Sequence, residues 1–299
     1  MKRRLLLRFK GNVPFMKLPP FEYACPTTIA EAVALLAWHG GEAKVLAGGQ
    51  SLVPMLAFRI ASPSLLIDLR KLSKLREIKI SQDGVKLGAM VRWREILDDA
   101  RLRTAHPLLI TAVKHVAHYQ IRNRGTVGGS IAHADPAAEM PGIVVTCEAK
   151  IAAIGKAGAR IIDAANFFRG PLVTALNPEE IITEIHLPPW PANRRFGFQE
   201  FARRRGDFAM AGAALFYDED GRKAKNAHVG VIGVADRPLR LATVEQALNG
   251  STVDEATIAK AEAAASASVD PVDDIHASGA YRKALIGVMV ERALLAAAA

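Results

Sequence analysis

Three prolines fall within four positions at Pro188-Pro189-Trp190-Pro191, and the interior of a regular helix or strand cannot accommodate such a segment. The chain of 299 residues is also longer than the ~250 residues that one hydrophobic core usually serves. We therefore predict a domain boundary here, with domains at residues 16–190 and 191–299. Up to about residue 70 the predicted helices and strands alternate in one block, and a second block of strands and helices follows. This predicts subdomains at about 16–70 and 71–190.

The first ten residues, MKRRLLLRFK, carry five basic and no acidic side chains. Their apolar run is only Leu5–Leu7, shorter than the ~7–15 residues of a secretory signal. We expect residues 1–15 to be a disordered extension, with Met16 as a second candidate start. Without these five charges the net charge falls from +9 to +4, which is weak support for nucleic-acid binding. Arg203-Arg204-Arg205 is interpreted as a solvated face or a contact to a partner subunit.

The cysteines and histidines constrain the class of cofactor and the compartment. The two cysteines, Cys25 and Cys147, form no CxxC motif and are too few for an iron–sulfur cluster, which usually takes four thiolates. They also do not suggest a disulfide-stapled secreted fold, so we expect a cytoplasmic protein. His115 and His118 have no obvious third ligand, and no metal site is predicted. No stretch reaches the ~18 apolar residues of a membrane-spanning helix.

Hydrophobic periodicity and turn signals predict an α+β fold. The first subdomain should hold a helix at Ile29–Trp38, capped by Thr27 or Thr28, and a small βαβ unit with strands at Lys44–Ala47 and Leu65–Leu69. The second should hold a mixed or antiparallel sheet with helices, its strands near Ile78–Ile80, Val85–Met90, Lys150–Ile154 and Ile181–Leu187. The C-terminal domain is predicted to be a three-stranded antiparallel sheet with a helical bundle, its strands near Arg195–Phe201, Ala209–Tyr217 and Ala224–Val234.

Two glycine-rich segments are the candidates for ligand binding. The first, AGGQSLVP at residues 47–54, lies between a predicted strand and a short helix. Its glycines allow positive φ and a close approach to a ligand, while N–H groups at the start of a helix point toward anionic oxygens. Gln50 and Ser51 add side-chain donors. By itself this segment fits a phosphate-binding loop or a tight turn equally well, because it is neither a Walker A loop nor a GxGxxG motif.

The second segment, RNRGTVGGS at residues 122–130, continues into IAHADPAAEMP. A pyrophosphate between the two segments would be met by backbone amides from both sides, which suits a dinucleotide. Asp135 followed by Pro136 is typical of a helix start, and Asp135 is interpreted as its cap. Glu139 would then lie one turn further along the same helix. A contact to a sugar-like polyol and an ordinary surface carboxylate both fit Glu139.

Together the two segments resemble the FAD-binding medium subunit of the xanthine dehydrogenase / carbon monoxide dehydrogenase family. AGGQSLVP and RNRGTVGGSIAHADPAAEMP occur in the family's order, about 75 residues apart, and LPPFEYACPTTIAEAVALLA, LLIDLR and FARRRGDFAMAGAAL match in order as well. The similarity runs from about Met16 to the C-terminus. It implies a noncovalent FAD that lies extended between the two subdomains of the N-terminal domain.

Candidate site residues follow from this resemblance. The first segment and the strand before it would cradle the pyrophosphate and neighbouring groups with Val45, Leu46, Ala47, Gly48, Gly49, Gln50, Ser51 and Leu52. The second segment would contribute Thr126, Val127, Gly128, Gly129 and Ser130. Glu139 falls where the family places an acidic ribityl or ribose contact. Ile182 falls where an apolar residue packs near the flavin, although an ordinary core position fits it as well.

Two departures from the family's commoner pattern bear on the site. Many relatives have Asn where this chain has Ser130, but a hydroxyl still donates, so FAD binding is expected to survive. The family also often has Lys where this chain has Gln199-Glu200. No lysine contact to the flavin is therefore expected.

The resemblance implies electron transfer. Substrate would be oxidised at molybdopterin on a large partner subunit, and electrons would pass through [2Fe-2S] clusters of a small partner to FAD and then to NAD, oxygen or a quinone. No catalytic side chain is predicted, since the protein's part would be to position and tune the flavin. A self-sufficient FAD-dependent oxidase acting on its own substrate is the alternative, but the last ~110 residues look too small for a substrate domain. A basic, non-enzymatic binding protein would instead show salt-sensitive retention on polyanions.

Overall fold

The computed structural model describes residues 18–299, so the extension expected at residues 1–15 lies outside the described residues. Within that range the strands form a three-stranded, a five-stranded and a four-stranded sheet, together with a two-stranded ribbon. None of the helices in this part of the chain is both long and apolar enough to cross a membrane.

The first sheet is parallel, and its strands are β1 (Glu22–Ala24), β2 (Ala43–Leu46) and β3 (Leu65–Asp68), with β3 in the centre. Helix α1 (Ile29–Trp38) joins β1 to β2, and α2 (Leu52–Ala57) lies between β2 and β3. The Thr28 hydroxyl caps α1 by accepting the N–H of Glu31 at 3.2 Å. The predicted βαβ unit is thus confirmed. It places the carboxyl ends of β2 and β3 side by side.

The second sheet is antiparallel, and its strands are β4 (Ile78–Ser81), β5 (Gly84–Gly88), β6 (Lys150–Gly155), β7 (Gly158–Asp163) and β10 (Ile181–Leu187). Their order across the sheet is β4-β5-β10-β6-β7. The connection from β7 to β10 contains a small ribbon of β8 (Phe168–Gly170) and β9 (Val173–Thr174). The four isoleucine and leucine side chains of β10 are buried, with Ile181 packed in the core of the first sheet and Ile182, Ile185 and Leu187 in the core of the second.

Six helices connect β5 to β6. They are α3 (Trp93–Asp98), α4 (Leu102–Ala105), α5 (Pro107–Val113), α6 (Tyr119–Arg122), α7 (Val127–His133) and α8 (Glu139–Thr146). Helices α5 and α8 are buried along most of their length and pack over the sheet. The second glycine-rich segment lies at the start of α7 and is therefore held against the core.

The C-terminal region begins with an antiparallel sheet of β11 (Arg194–Phe201), β12 (Ala211–Asp220), β13 (Lys223–Ile232) and β14 (Leu239–Arg240), in that order. Helices α9 (Ala242–Leu248), α10 (Glu255–Ala267) and α11 (Gly279–Ala298) follow and cover one face. The three predicted strands are present. The fourth, β14, has only two residues, too few to show an alternating pattern in the sequence.

The largest hydrophobic core extends across the proline-rich segment. It starts at the five-stranded sheet and includes Phe198 and Phe216 of the C-terminal sheet. The Trp190 ring lies 5.6 Å from the Phe216 ring and 4.6 Å from the His106 ring, and the Arg194 guanidinium lies 4.0 Å from the centre of the Phe216 ring. The segment at Trp190 is therefore packed between the two regions and fixes how they meet.

Candidate functional site

The first glycine-rich segment links the carboxyl end of β2 to α2. Gly49 has a φ of +73°, in the left-handed region that favours glycine, and the Gln50 side-chain amide donates to the Gly48 carbonyl at 3.0 Å. Among the described residues, the backbone N–H groups of Gly48, Gly49, Gln50 and Ser51 donate to no protein acceptor. Consecutive N–H donors at the carboxyl end of a parallel strand are a surface suited to an anion.

The second glycine-rich segment uses its N–H groups differently. Thr126 caps α7 by accepting the N–H of Gly129 at 3.2 Å. The N–H groups of Val127 and Gly128 donate to carbonyls in the loop after β5, at 2.9 and 2.8 Å. The amides of these three residues already have acceptors inside the chain, and contact of the second segment with an anion stays a prediction. Of the two segments, the first supplies consecutive amide donors that have no acceptor among the described residues.

The two segments touch each other and enclose a cleft. A Cβ on Gly48 would lie 2.8 Å from the Cα of Gly125 and would overlap the Arg124 carbonyl, so only glycine permits this approach. A Cβ on Gly129 would lie 3.6 Å from the Ala47 Cβ. The cleft has a volume of about 360 Å³ and is lined by Leu46, Ala47, Gly48, Gly49, Gln50, Val53, Pro54, Arg70 and Arg124.

Two arginines line the cleft, and they differ in their partners. Arg70, just after β3, donates through Nε to the buried Asp68 carboxylate at 2.6 Å, and this hydrogen bond raises the pKa of Arg70. Asp68 also accepts the Tyr23 hydroxyl at 2.8 Å, which fixes the carboxylate in place. Arg124 is exposed and makes no ion pair with the described residues. It therefore contributes a positive charge to the cleft that no neighbouring carboxylate offsets.

The sequence-predicted residues fall into three groups. The first segment lies at or beside the cleft, with Val45 and Leu46 ending β2, then Ala47, Gly48, Gly49, Gln50, and Ser51 and Leu52 beginning α2. The second lies directly behind it, with Thr126, Val127 and Gly128 buried and Gly129 and Ser130 half-buried. Glu139 and Ile182 do not line this cleft, and Ile182 is a buried core residue of β10.

The helix predicted to start at Asp135-Pro136 begins three residues later. Helix α8 starts at Glu139, whereas Asp135 closes a turn in which its side chain accepts the N–H of Ala137 at 2.9 Å. The Pro136 carbonyl accepts the N–H of Gly233, at 3.0 Å, from the C-terminal region. That carbonyl is therefore committed to a distant partner and does not begin the helix. Asp135 and Glu139 consequently do not share a helix face.

Glu139 is a buried carboxyl, not a surface one. Only 6% of the residue is exposed. Burial is the main cause that raises its pKa to about 8, and the nearby Glu200 and Asp135 act in the same direction. At neutral pH the Glu139 side chain is therefore mainly protonated, and its carboxyl can donate as well as accept a hydrogen bond.

Sequence reasoning missed both arginines of the cleft. Arg70 had a usable signal, because LLIDLR ends a strand parallel to β2 and adjacent parallel strands end at the same edge of a sheet. The sequence contained no signal for Arg124 beyond its place before Gly125. Its location in the cleft depends on the contact between the two segments.

Comparison with known proteins identifies the family. The model described as FAD binding domain in molybdopterin dehydrogenase matches residues 19–190, and that described as CO dehydrogenase flavoprotein C-terminal domain matches residues 196–297. The chain is 39% identical over 281 residues to the 6-hydroxypseudooxynicotine dehydrogenase complex subunit alpha of Paenarthrobacter nicotinovorans, covering 93% of this chain and 95% of that protein. The chain belongs to the FAD-binding medium subunits of the molybdopterin dehydrogenases.

Solved structures agree with this assignment of the medium subunit. A chain of carbon monoxide dehydrogenase from Hydrogenophaga pseudoflava superposes with a TM-score of 0.92 at 37% identity, covering 94% of this chain and 98% of that chain. A chain of quinoline 2-oxidoreductase from Pseudomonas putida 86 gives 0.90 at 37% identity, covering 95% and 98%. The predicted family and α+β fold are confirmed, and the medium subunit is a component of an oxidoreductase with FAD as its cofactor.

The cleft of this medium subunit has the chemistry that the diphosphate of FAD requires. The first segment supplies backbone donors, and Arg70 and Arg124 supply positive charge. Within residues 18–299, no group of three or more His, Cys, Asp or Glu side chains is arranged to hold a metal ion. Both cysteines are free thiols, with Cys147 buried.

Proposed function

We propose that this chain is the electron-transferring flavoprotein of a complex with a small iron–sulfur subunit and a large molybdopterin subunit. In that complex it would accept electrons from [2Fe-2S] clusters of the small subunit and pass them to NAD, oxygen or a quinone. Family membership over nearly the whole described chain supports the assignment. The observation that carries it is the cleft between the glycine-rich segments, with its consecutive amide donors and two guanidinium groups.

We propose specific roles for the residues around the cleft. The N–H groups of Gly48 to Ser51 donate to the diphosphate oxygens. Arg70 is already paired with Asp68, so Arg124 neutralises the remaining negative charge of the diphosphate. The second segment supports the first from behind through the contact of Gly125 with Gly48. Glu139 and Ile182 would contact the part of the cofactor that extends beyond the cleft.

Bound FAD supplies two-electron storage together with one-electron exchange, which suits a relay between iron–sulfur clusters and an external acceptor. The side chains and amides of the cleft bind and orient the cofactor. Relatives named as dehydrogenase complex subunits or medium chains support the proposal that substrate is oxidised on another subunit. The two free thiols fit a reducing compartment, and we propose the cytoplasm.

The first experiment is to purify the chain, record its visible flavin spectrum, identify the released cofactor and titrate FAD back. We expect one noncovalent FAD per chain and weaker binding in Gly49→Val. Co-expression with candidate small and large subunits, followed by reduction with substrate, then tests electron transfer. If the chain takes up no FAD even with its partners, the flavoprotein proposal is wrong. FAD binding without reduction by any partner would leave the binding site intact and remove the relay role.

A further inference from the structure

A second cavity, with a volume of about 570 Å³, lies among the helices that follow β5. It shares no lining residue with the cleft at the first glycine-rich segment. Its lining comes from α3, α4 and α5 and consists of Leu97, Arg103, Pro107, Ile110, Thr111 and Lys114. A volume between about 300 and 1,000 Å³ is typical of sites for small organic molecules.

Helix α5 provides one wall of this cavity. Pro107, Ile110 and Thr111 lie three and four residues apart, and Lys114 caps the end of the helix. Residues at this spacing lie on one face of a helix. Leu97 of α3 adds to the apolar part of the lining, and Ile110 is almost fully buried. The cavity therefore combines an apolar surface with charged groups on the same face of α5.

Arg103 and Lys114 contribute two positive charges to the cavity. Both residues are exposed, and neither side chain forms an ion pair or a hydrogen bond with the described residues. No acidic residue is among those that line the cavity. The two charges are therefore available to an anion from outside the chain.

The carboxylates nearest to the cavity in sequence already have other partners. Glu95 caps α3 by accepting a backbone N–H at 2.7 Å. Asp98 pairs with Arg94 at 3.0 Å, and Asp99 pairs with Arg101 at 2.6 Å. The basic residues of this stretch thus divide into paired ones outside the cavity and unpaired ones that line it.

Thr111 adds a directional group to the lining. Its hydroxyl donates to the Pro107 carbonyl at 3.1 Å, so the hydroxyl proton is already engaged. The hydroxyl oxygen can still accept a hydrogen bond from a ligand. The lining as a whole suits a molecule with a carboxylate or phosphate, an apolar ring and one N–H or O–H group.

We propose that this cavity is a binding site for an organic anion, a carboxylate or phosphate attached to a ring. The anionic group pairs with Arg103 and Lys114. The ring packs against Leu97 and Ile110, and a polar hydrogen of the ligand donates to Thr111. Hydrogen bonds between charged partners are roughly twice as strong as neutral ones, so the two cations dominate the affinity. This site is independent of the FAD cleft and does not rest on the proposed function.

Four probes test the proposal on the full chain by fluorescence and calorimetric titration. The compound 6-hydroxy-2-naphthoate carries the anion, the ring and the hydroxyl, 2-naphthoate lacks the hydroxyl, and 2-naphthol lacks the carboxylate. Adenosine monophosphate replaces the carboxylate by a phosphate. Each titration is run with and without saturating FAD, because a probe that enters the cleft instead is displaced by FAD.

Four variants accompany these titrations. Arg103→Gln and Lys114→Gln each remove one charge from the cavity, and Thr111→Val removes the acceptor while it preserves the shape. Lys156→Gln is the matched control, since Lys156 is an exposed cation in the turn between β6 and β7. Urea denaturation verifies that each variant is folded.

We expect 6-hydroxy-2-naphthoate to bind equally well with and without FAD, and 2-naphthol to bind at least about tenfold more weakly than 2-naphthoate. Arg103→Gln and Lys114→Gln should each weaken the binding of 6-hydroxy-2-naphthoate by about tenfold, and Lys156→Gln should leave it unchanged. Thr111→Val should remove the preference for 6-hydroxy-2-naphthoate over 2-naphthoate, which we expect to be about threefold to tenfold. Tighter binding of adenosine monophosphate than of the naphthoates would identify a nucleotide-like phosphate as the ligand, and the reverse would identify an aromatic acid.

The inference is overturned if no probe binds, or if FAD displaces the probes. It is also overturned if Lys156→Gln weakens binding as much as Arg103→Gln, because the effect is then one of net charge. Loss of probe binding on assembly with the partner subunits would mean that a partner covers the cavity, and would overturn the inference as well. None of these results bears on FAD binding by the cleft, so the proposed function stands or fails separately.

Discussion

The two glycine-rich segments are similar in sequence but use their backbone N–H groups differently. In the first, Gly49 adopts a left-handed φ of +73° and the N–H groups of residues 48–51 remain available to a ligand. In the second, the N–H groups of residues 127–130 are taken up by the Thr126 cap and by neighbouring carbonyls. Gly128 is required there because Ala89 leaves no room for a side chain. A pair of glycines thus indicates that another group lies close to the backbone, but it does not indicate whether that group is a ligand or another part of the chain.

This difference predicts two kinds of defect. Changes in the first segment should weaken FAD binding more than they lower the free energy of unfolding. Changes in the second segment should do the reverse. Four substitutions test this contrast, in order of decreasing expected effect.

Gly128→Val should be the most damaging change. The new Cβ would lie 2.5 Å from the Ala89 Cβ and 2.8 Å from the Ala89 carbonyl oxygen. Overpacking against backbone should lower the free energy of unfolding by about 3 kcal/mol or more, measured by urea denaturation of the flavin-free chain. An unchanged unfolding midpoint would show that the second segment is not part of the packed core.

Gly49→Val should weaken FAD binding by about tenfold or more, with a smaller loss of stability of about 1–2 kcal/mol. A β-branched residue strongly disfavours the positive φ that aims the N–H groups of the first segment. Gly250→Val is the matched control, because Gly250 has a φ of +81° and open space around its Cβ position. Equal loss of FAD affinity in both variants would contradict a specific role for the loop at Gly49.

Arg124→Gln should weaken FAD binding by about tenfold and reduce its dependence on salt, because an exposed guanidinium in the cleft is lost. Its effect on unfolding should be within about 0.5 kcal/mol. Arg222→Gln, at an exposed hairpin turn, serves as the control for net charge. Parallel titrations at low and high salt check both expectations. Similar losses in the two variants would reduce the role of Arg124 to general electrostatics.

Thr126→Ala should have the smallest effect. It removes the hydroxyl that accepts the N–H of Gly129, at a cost of about 1 kcal/mol in the free energy of unfolding. FAD affinity should change by less than about twofold, since the cap lies behind the cleft. Thr126→Ser keeps the oxygen and should restore most of the stability. A large loss of FAD affinity in Thr126→Ala, but not in Thr126→Ser, would contradict the expectation that the second segment acts on stability more than on FAD binding.

Local patterns were sufficient where neighbouring residues determine the structure. Helix α1 has its predicted bounds because Thr28 caps it, and the βαβ unit around the first segment follows from strand, glycine and helix signals in succession. The short strand β1 and the two-residue β14 escaped notice, because each exists only through its partner strand.

Long-range contacts determined what the sequence did not reveal. The late start of α8 depends on Gly233, almost a hundred residues from Pro136. The engaged amides of the second segment depend on carbonyls after β5. The resemblance located Glu139, but its burial became clear only from the packing of the two regions.

The core shared across Trp190 has a consequence for synthesis on the ribosome. Phe198, Ala214 and Phe216 complete a core whose other buried members precede residue 190, so that core remains open until β12 has emerged. The 26 residues from 191 to 216 take roughly 1–5 s to translate at ~5–20 residues/s. During that interval the nascent chain presents apolar surface near Trp190, and chaperones have a defined window in which to bind it.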